Sequence, residues 1–331
     1  MENENTILEV KDLRTSFYTE NGEVKAVDGI SFTIEKGKTL GIVGESGSGK
    51  SITSLSIMRL LMGTTGKNLG GEILFQGEDL LKLSEAQMMK IRGNRISMVF
   101  QEPMTSLNPT MTCGEQIAEA VRTHRGLNRR DAWESAIRML KRVNMPEPEK
   151  RAKQYPFELS GGMRQRVMIA IALSCHPDLL IADEPTTALD VTIQAQILRR
   201  IKRLQNEFGT ALIMITHDLG VIAEVCDMVA VMYCGKIVEY TDTHTLFTEP
   251  KHPYTIGLMK SIPSHEVDTD DDLDVIQGTV PSPYELPPGC SFAPRCPHAK
   301  ESCNRGMPEL LNLTEKQAVR CYMHQGQEGW K

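Results

Sequence analysis

The sequence predicts an α/β fold built on a buried parallel sheet. The runs LLIAD (179–183), ALIMIT (211–216) and MVAVMY (228–233) are apolar with little alternation, which is typical of strands covered on both faces. TLGIVG (39–44) predicts a further short strand, and SITSLSIMRLLMG (51–63) has helical periodicity. A chain of 331 residues with 40% hydrophobic residues exceeds what a single compact domain usually needs. We therefore expect one main domain with an appendage.

Other segments surround this core. From Ile7 to Phe32, short and partly alternating runs are broken by the turn TENGE, which predicts an antiparallel β-subdomain. Between Thr110 and Lys153 the pattern is charged and helical, which predicts a helical insertion. After about Thr241 the composition shifts toward proline and acidic residues, including EVDTDDDLD. We predict a main domain over 1–240, with a helical subdomain over about 102–158, and an extension over 241–331.

Net charge and hydropathy exclude some classes of protein. A formal charge of -6 argues against a general nucleic-acid binder. No stretch approaches the roughly 18 apolar residues of a membrane span. The start, MENENTILEV, lacks the basic and apolar regions of a signal peptide. We expect the chain to remain in the cytoplasm.

The segment GESGSGKS (44–51) fits the phosphate-binding pattern G-x-x-x-x-G-K-[ST] between a predicted strand and a predicted helix. Its glycines let backbone N–H groups surround a phosphate, to which the dipole of the following helix adds positive potential. Lys50 is expected to reach the β and γ phosphates, and Ser51 to ligate Mg²⁺. The alternative is a glycine-rich turn with a chance lysine. The predicted nucleotide contacts here are Gly44, Glu45, Ser46, Gly47, Ser48, Gly49, Lys50, Ser51 and Ile52.

The strand of LLIADEP ends in two adjacent carboxylates, Asp183 and Glu184. The carboxyl edge of a parallel sheet is where such folds bind ligands, so we expect both beside the phosphate loop. Asp183 is predicted to hold Mg²⁺, and Glu184 to orient or deprotonate the attacking water. Carboxylates at a strand end can also cap a helix or simply face water.

LSGGMRQR (159–166) precedes that strand and opens a predicted helix. At this position it resembles the signature sequence of ATP-binding cassette (ABC) ATPases. The resemblance implies a P-loop NTPase cassette with a RecA-like core, an antiparallel β-subdomain and a helical subdomain. It also implies that Ser160, Gly161 and Gly162 grip the γ-phosphate of ATP held by an opposite subunit, with backbone N–H groups and helix dipole as donors.

Further residues follow from the resemblance. Gln101 matches the glutamine that links Mg²⁺ and the lytic water to the helical subdomain. Asp190, in TALD, matches the loop that crosses to the partner, and His217 matches the switch histidine at the γ-phosphate. Phe17 aligns with the aromatic that stacks on adenine, and Tyr18 is an alternative.

IRGNRISMVFQEPMTSLNP and KHPYTIGLMKSIPS resemble the D-type ATPases of oligopeptide and dipeptide importers. The resemblance implies an ATPase on the cytoplasmic face of the membrane. Its partners would be a second, different ATPase subunit, two transmembrane permease subunits and an extracellular peptide-binding protein. The solute stays open, because related importers carry nickel. Rival hypotheses are an ABC protein acting on nucleic acid or ribosomes, and an iron–sulfur redox sensor.

Four cysteines near the C-terminus, Cys290, Cys296, Cys303 and Cys321, have the spacing C-x5-C-x6-C-x17-C. Disulfides are not expected in a reducing compartment, and structural zinc more often uses C-x2-C pairs. An iron–sulfur cluster tolerates varied spacing. Some members of the resembled family carry a [4Fe–4S] cluster at this extension, so we favour that cluster, with zinc and reduced structural thiols as alternatives. His298 and His324 are nearby candidate ligands.

Overall fold

The computed structural model describes residues 5–186, 190–261 and 276–326. The acidic segment EVDTDDDLD and the first three residues of TALD lie outside these ranges. The chain divides into two compact units. The first comprises Met1–Leu8, Ile34–Thr39 and Phe75–Ile215, and the second comprises Glu9–Thr33, Leu40–Leu74 and Thr216–Lys331.

The strands in chain order are β1 (Thr6–Thr19), β2 (Gly22–Glu35), β3 (Thr39–Val43), β4 (Gly66–Phe75), β5 (Glu78–Asp79), β6 (Ile96–Val99), β7 (Leu179–Asp183), β8 (Ala211–Ile215), β9 (Met228–Tyr233), β10 (Lys236–Asp242), β11 (Leu311–Asn312) and β12 (Gln317–Val319).

The α-helices are α1 (Lys50–Ile57), α2 (Glu85–Ile91), α3 (Pro103–Ser106), α4 (Cys113–Arg125), α5 (Arg129–Arg142), α6 (Pro148–Arg151), α7 (Gly161–Leu173), α8 (Val191–Phe208), α9 (Leu219–Val225), α10 (Thr243–Thr248) and α11 (Pro253–Lys260). Short 3₁₀ helices occupy Leu80–Lys82, Pro156–Glu158, Ala293–Arg295, Glu301–Asn304 and Tyr322–His324.

The first unit contains the parallel strands β6, β7 and β8. Leu179 of β7 lies opposite Ile96 of β6 on one side and Ala211 of β8 on the other. Every residue of these three strands is buried, as the apolar runs predict. Helices α4 and α5 pack against each other and against α7 in the same unit. The α/β prediction and its helical insertion are therefore confirmed.

The second unit holds two groups of strands. Strand β3 is parallel to β9, which pairs antiparallel with β10. Strand β12 pairs antiparallel with both β10 and β11, so the sheet ends at β11. Strands β2, β1 and β4 lie side by side in that order in a separate sheet. This sheet contains the hairpin that the alternating N-terminal pattern predicts.

Helix α1 is shorter than its sequence pattern predicts. The apolar periodicity extends to Gly63, whereas the helix ends at Ile57. Arg59 has a φ of 51°, in the left-handed region, so the backbone cannot continue a right-handed helix there.

Part of the cysteine-rich extension is built into the core of the second unit. Phe292 is 2% exposed and packs with Tyr233 and Tyr254, which lie on β9 and α11. Ring centroids lie 5.3 Å apart for Phe292 and Tyr233, and 5.4 Å apart for Phe292 and Tyr254. Aromatic packing therefore anchors this part of the extension in the core of the second unit.

Two further features are the hydropathy of the helices and the burial of the cysteines outside the C-terminal group. Across the described ranges, no helix is both long and apolar enough to cross a membrane. Cys113 and Cys175 are buried, and Cys226 and Cys234 are half-buried against apolar neighbours.

Candidate functional site

The glycine-rich loop between β3 and α1 has a backbone that only glycine fits. Gly44 and Gly49 have φ values of 152° and 102°. A Cβ at Gly44 would lie 2.2 Å from the carbonyl oxygen of Met232, and one at Gly49 would lie 2.3 Å from that of Ala26. Both contacts are with backbone atoms that cannot rotate away, so these glycines set the course of the loop.

Lys50 begins α1 and turns its side chain back over this loop. Its Nζ donates to the carbonyl oxygens of Gly44 at 2.7 Å and Glu45 at 2.9 Å. The residue is 6% exposed. An ammonium at the N-terminus of a helix, inside a turn of backbone N–H groups, is the arrangement that binds polyphosphates.

The two predicted carboxylates stand at the end of β7 in the first unit. Asp183 is 5% exposed, and Glu184 follows with a φ of 46°. The Glu184 N–H donates to the carbonyl oxygen of Ile215 at 2.9 Å, which fixes this left-handed residue at the edge of β8. Local strain of this kind is found at functional sites.

Gln101, from the loop after β6, reaches the same carboxylate. Its Nε2 donates to Oε2 of Glu184 at 2.8 Å across 83 residues of sequence. The parallel pairing of β6 with β7 brings the two strand ends together. The structure thus joins two residues that the sequence assigned separately to the lytic water.

The signature segment forms the N-terminus of α7. Ser160 is the N-cap, and its Oγ accepts a hydrogen bond from the N–H of Met163 at 3.4 Å. A Cβ at Gly162 would lie 3.2 Å from Cγ2 of Ile193, so the glycine allows close approach of α8. Gln165, which the sequence analysis did not single out, donates its side-chain amide to the Pro185 carbonyl just after Glu184.

The remaining predicted residues differ in their exposure. Asp190 is exposed at the start of α8. His217 is exposed and precedes Asp218, which caps α9. Phe17 is half-buried with its ring against Gly66, whereas Tyr18 is 44% exposed. The adenine-stacking role of Phe17 stays a prediction.

Two contacts of Glu45 were not foreseen from the sequence. Its carboxylate pairs with Arg295, and its N–H donates to the Oη of Tyr254. Both partners lie more than 200 residues away in the extension, and no local pattern indicates the pairing.

The four C-terminal cysteines line one small cavity together with His252 and His298. Burial, with a smaller contribution from the other three thiols, raises the pKa of Cys321 to about 11. Burial also raises the pKa values of Cys290 and Cys296. Among the described residues, no group of three or more His, Cys, Asp or Glu side chains is arranged to hold a metal ion. The four thiols therefore converge on this cavity, but among the described residues they are not arranged as a metal-ligand cage.

These motifs, in this order on an α/β core, define the class of ABC ATPases. The family described as "ABC transporter" matches residues 27–187, and "Oligopeptide/dipeptide transporter, C-terminal region" matches residues 238–303. The chain therefore belongs to the ABC transporter ATPase family, and its C-terminal region to the oligopeptide/dipeptide branch.

Individual relatives match over most of their length. The chain is 53% identical over 320 residues to the oligopeptide transport ATP-binding protein AppD of Bacillus subtilis, covering 97% of each chain. It is 53% identical over 304 residues to OppD of Salmonella typhimurium, covering 92% of this chain and 90% of that protein. The dimeric ATP-binding cassette MJ0796, solved with ADP and Pi, superposes with a TM-score of 0.65 at 28% identity, covering 71% of this chain and 98% of that one.

Proposed function

We propose that the chain is the ATP-hydrolysing subunit that powers import of oligopeptides or dipeptides at the cytoplasmic face of the membrane. The observation that carries this is the glycine-locked loop with Lys50 folded into it. The likeness to AppD and OppD, both oligopeptide transport ATP-binding proteins, supports the solute class.

Each site residue receives a role from its chemistry. The loop N–H groups and Lys50 bind the β and γ phosphates, and Ser51, Asp183 and Gln101 hold Mg²⁺. A bound Mg²⁺ supplies charge neutralisation to the phosphates. Glu184 deprotonates or orients the water, and Gln101 holds its carboxylate through the 2.8 Å hydrogen bond.

The remaining roles involve a second cassette. Ser160, Gly161 and Gly162 serve the γ-phosphate of ATP held by the partner ATPase, and Asp190 contacts that partner. The dimeric form of the cassette MJ0796 supports this pairing. His217 contacts the γ-phosphate, and Phe17 stacks on adenine. Two permease subunits and an extracellular peptide-binding protein complete the transporter.

Nucleotide binding is tested with Lys50→Ala in the full chain. Because the variant loses a direct phosphate contact, its affinity for MgATP should fall by at least tenfold, measured with a fluorescent ATP analogue. Lys82→Ala is the matched control, because the Lys82 side chain is 75% exposed and forms an ion pair with Asp79 outside the phosphate loop. Unchanged affinity in Lys50→Ala would reject the phosphate-loop assignment.

Solute class is tested on the complex that co-purifies with the chain. Reconstituted in vesicles with the binding protein, it should take up a labelled tri- or pentapeptide in an ATP-dependent manner. Uptake of nickel but not of peptide would overturn the peptide assignment while leaving the ATPase intact.

We further propose that Cys290, Cys296, Cys303 and Cys321 hold a [4Fe–4S] cluster with a structural role. The convergence of all four side chains on one cavity supports this. A cluster would have to displace the protons that burial keeps on Cys290, Cys296 and Cys321. Anaerobically purified protein should contain about four iron and four sulfide per chain, with absorbance near 400 nm.

Other results would contradict a structural [4Fe–4S] cluster. About one zinc per chain without iron would support a zinc site, and four titratable thiols without metal would reject both. Cys296→Ser should lose the chromophore and keep MgATP binding. A folded Cys296→Ser protein without ATPase activity would exclude a purely structural role.

A further inference from the structure

Two segments of the C-terminal extension contact the same residue of the phosphate loop. Arg295 lies in the 3₁₀ helix between Cys290 and Cys296, and its guanidinium forms a two-pronged ion pair with Glu45. The distances are 2.7 Å from Nη1 to Oε2 and 3.2 Å from Nη2 to Oε1. Paired planar hydrogen bonds of this kind fix orientation as well as charge.

Tyr254, in the HPYT segment, contacts the backbone of the same residue. Its Oη accepts a hydrogen bond of 2.8 Å from the Glu45 N–H. Tyr254 is fully buried, and burial raises the pKa of its phenol, so the oxygen stays neutral and in place. Side chain and main chain of Glu45 are thus both held by the extension.

Arg295 is itself rigidly held. Its side chain is 5% exposed, and it donates to the carbonyl oxygens of Gln277 at 3.2 Å and Ile276 at 3.4 Å. Nη1 also lies 3.4 Å from the Oη of Tyr233. A guanidinium placed by several acceptors loses little entropy when it binds a carboxylate.

The charge of Glu45 gives these contacts a consequence for nucleotide binding. A carboxylate within a loop that binds polyphosphate repels the ligand unless its charge is neutralised. Arg295 supplies that positive charge from the side of the extension. Nucleotide chemistry alone gives no reason for either Arg295 or Tyr254.

We propose that Arg295 and Tyr254 are positioning residues for the phosphate loop, through which the C-terminal extension keeps the Glu45 carboxylate neutralised and fixed in orientation. The proposal rests on the function proposed above, since it assumes that this loop binds MgATP. It assigns the extension a part in nucleotide affinity.

The test compares Arg295→Met, Glu45→Gln and the double variant in the full chain. Methionine retains most of the buried volume but removes the charge. Arg295→Met should raise the Kd for MgATP about tenfold, because it leaves an unpaired carboxylate beside the phosphates. The double variant should return to within about threefold of wild type, because the repelling charge is gone. In the assembled transporter, KM for ATP should follow Kd while kcat changes less than about twofold.

Controls separate positioning from general destabilisation. Arg305→Met removes an exposed pair with Glu301 in the same extension and should leave Kd and melting temperature unchanged. Tyr254→Phe, which leaves the Glu45 N–H without its acceptor, should weaken MgATP binding about threefold. If Arg295→Met does not fold, Arg295→Lys retains the charge without the two-pronged geometry and should raise Kd about threefold.

The results that would refute the role of Arg295 differ from those that would refute MgATP binding by the phosphate loop. An Arg295→Met Kd within twofold of wild type, or a well-folded double variant as weak as Arg295→Met, would overturn it. If Arg295→Met does not fold, a Kd for Arg295→Lys equal to that of wild type would overturn the proposal as well. If Lys50→Ala loses MgATP binding in the same assay, the nucleotide site stands and only the role of Arg295 is refuted.

Discussion

Replacing Glu184 by glutamine removes the proposed base with little change in shape. The amide oxygen of glutamine can accept the hydrogen bond that Gln101 Nε2 now donates to the carboxylate at 2.8 Å. The backbone at this position has a φ of 46° in either case and is fixed by the N–H contact to Ile215. The variant should therefore fold like the wild type and bind MgATP within about threefold of its affinity.

Hydrolysis should fall much further than binding. Loss of a general base costs about 10²–10⁴-fold in rate, which corresponds to about 2.7–5.4 kcal/mol in the activation barrier. Gln101→Leu is the informative companion, since it keeps the carboxylate and deletes its hydrogen-bond donor together with the proposed Mg²⁺ ligand. The hydrogen bond alone is worth about 1 kcal/mol at an exposed site, so this rate should fall at least about fivefold.

The assay is steady-state phosphate release by the assembled transporter, with MgATP affinity measured separately. The expected order of rates is wild type, then Gln101→Leu, then Glu184→Gln, with similar MgATP affinities for wild type and Glu184→Gln. A Glu184→Gln rate within tenfold of wild type would refute the base assignment. A Gln101→Leu rate as low as that of Glu184→Gln would show that the contact contributes more than orientation of one carboxylate.

Three further predictions follow from the geometry. Gly49→Ala places a Cβ 2.3 Å from a backbone oxygen and should abolish MgATP binding in a nucleotide titration. In Gly47→Ala the added Cβ meets no atom within 4 Å, so the affinity for MgATP should fall only about tenfold, because of the φ of 78°. Gly162→Asp adds a carboxylate at the N-terminus of α7, so it should keep binding at its own loop but lose ATP-driven association in light scattering; normal association would contradict it. Burial depresses the pKa of His252 to about 3. The stabilisation from the neutral ring is therefore fully present above pH 6.5, and at lower pH the free energy of unfolding decreases by up to about 1.4 kcal/mol per pH unit. His252→Asn, which retains a side-chain cap for α11, should flatten thermal unfolding between pH 7 and pH 5, and parallel curves would contradict this.

Local sequence determined the elements and the chemistry of the nucleotide site. The glycines of the phosphate loop, the strand ending in Asp183, and Ser160 at the start of α7 are recognisable because their function requires those residue types at short, fixed spacing. Buried parallel strands also show in the sequence, since both faces must be apolar. The prediction that α1 continues to Gly63 is nevertheless wrong, because the apolar pattern does not indicate the left-handed backbone at Arg59.

Only the tertiary structure decided which distant residues meet. The contact between Gln101 and Glu184 depends on the parallel pairing of β6 with β7, and the pairing of Arg295 with Glu45 spans 250 residues. A charged side chain in a sequence does not specify its partner, because burial and chain path select the pair among many carboxylates. The cysteines could be counted from the sequence, but their convergence on one cavity, beside the packed ring of Phe292, is seen only in the fold. Long-range neutralisation of charge is thus set by the fold, whereas the phosphate loop is set by its own residues.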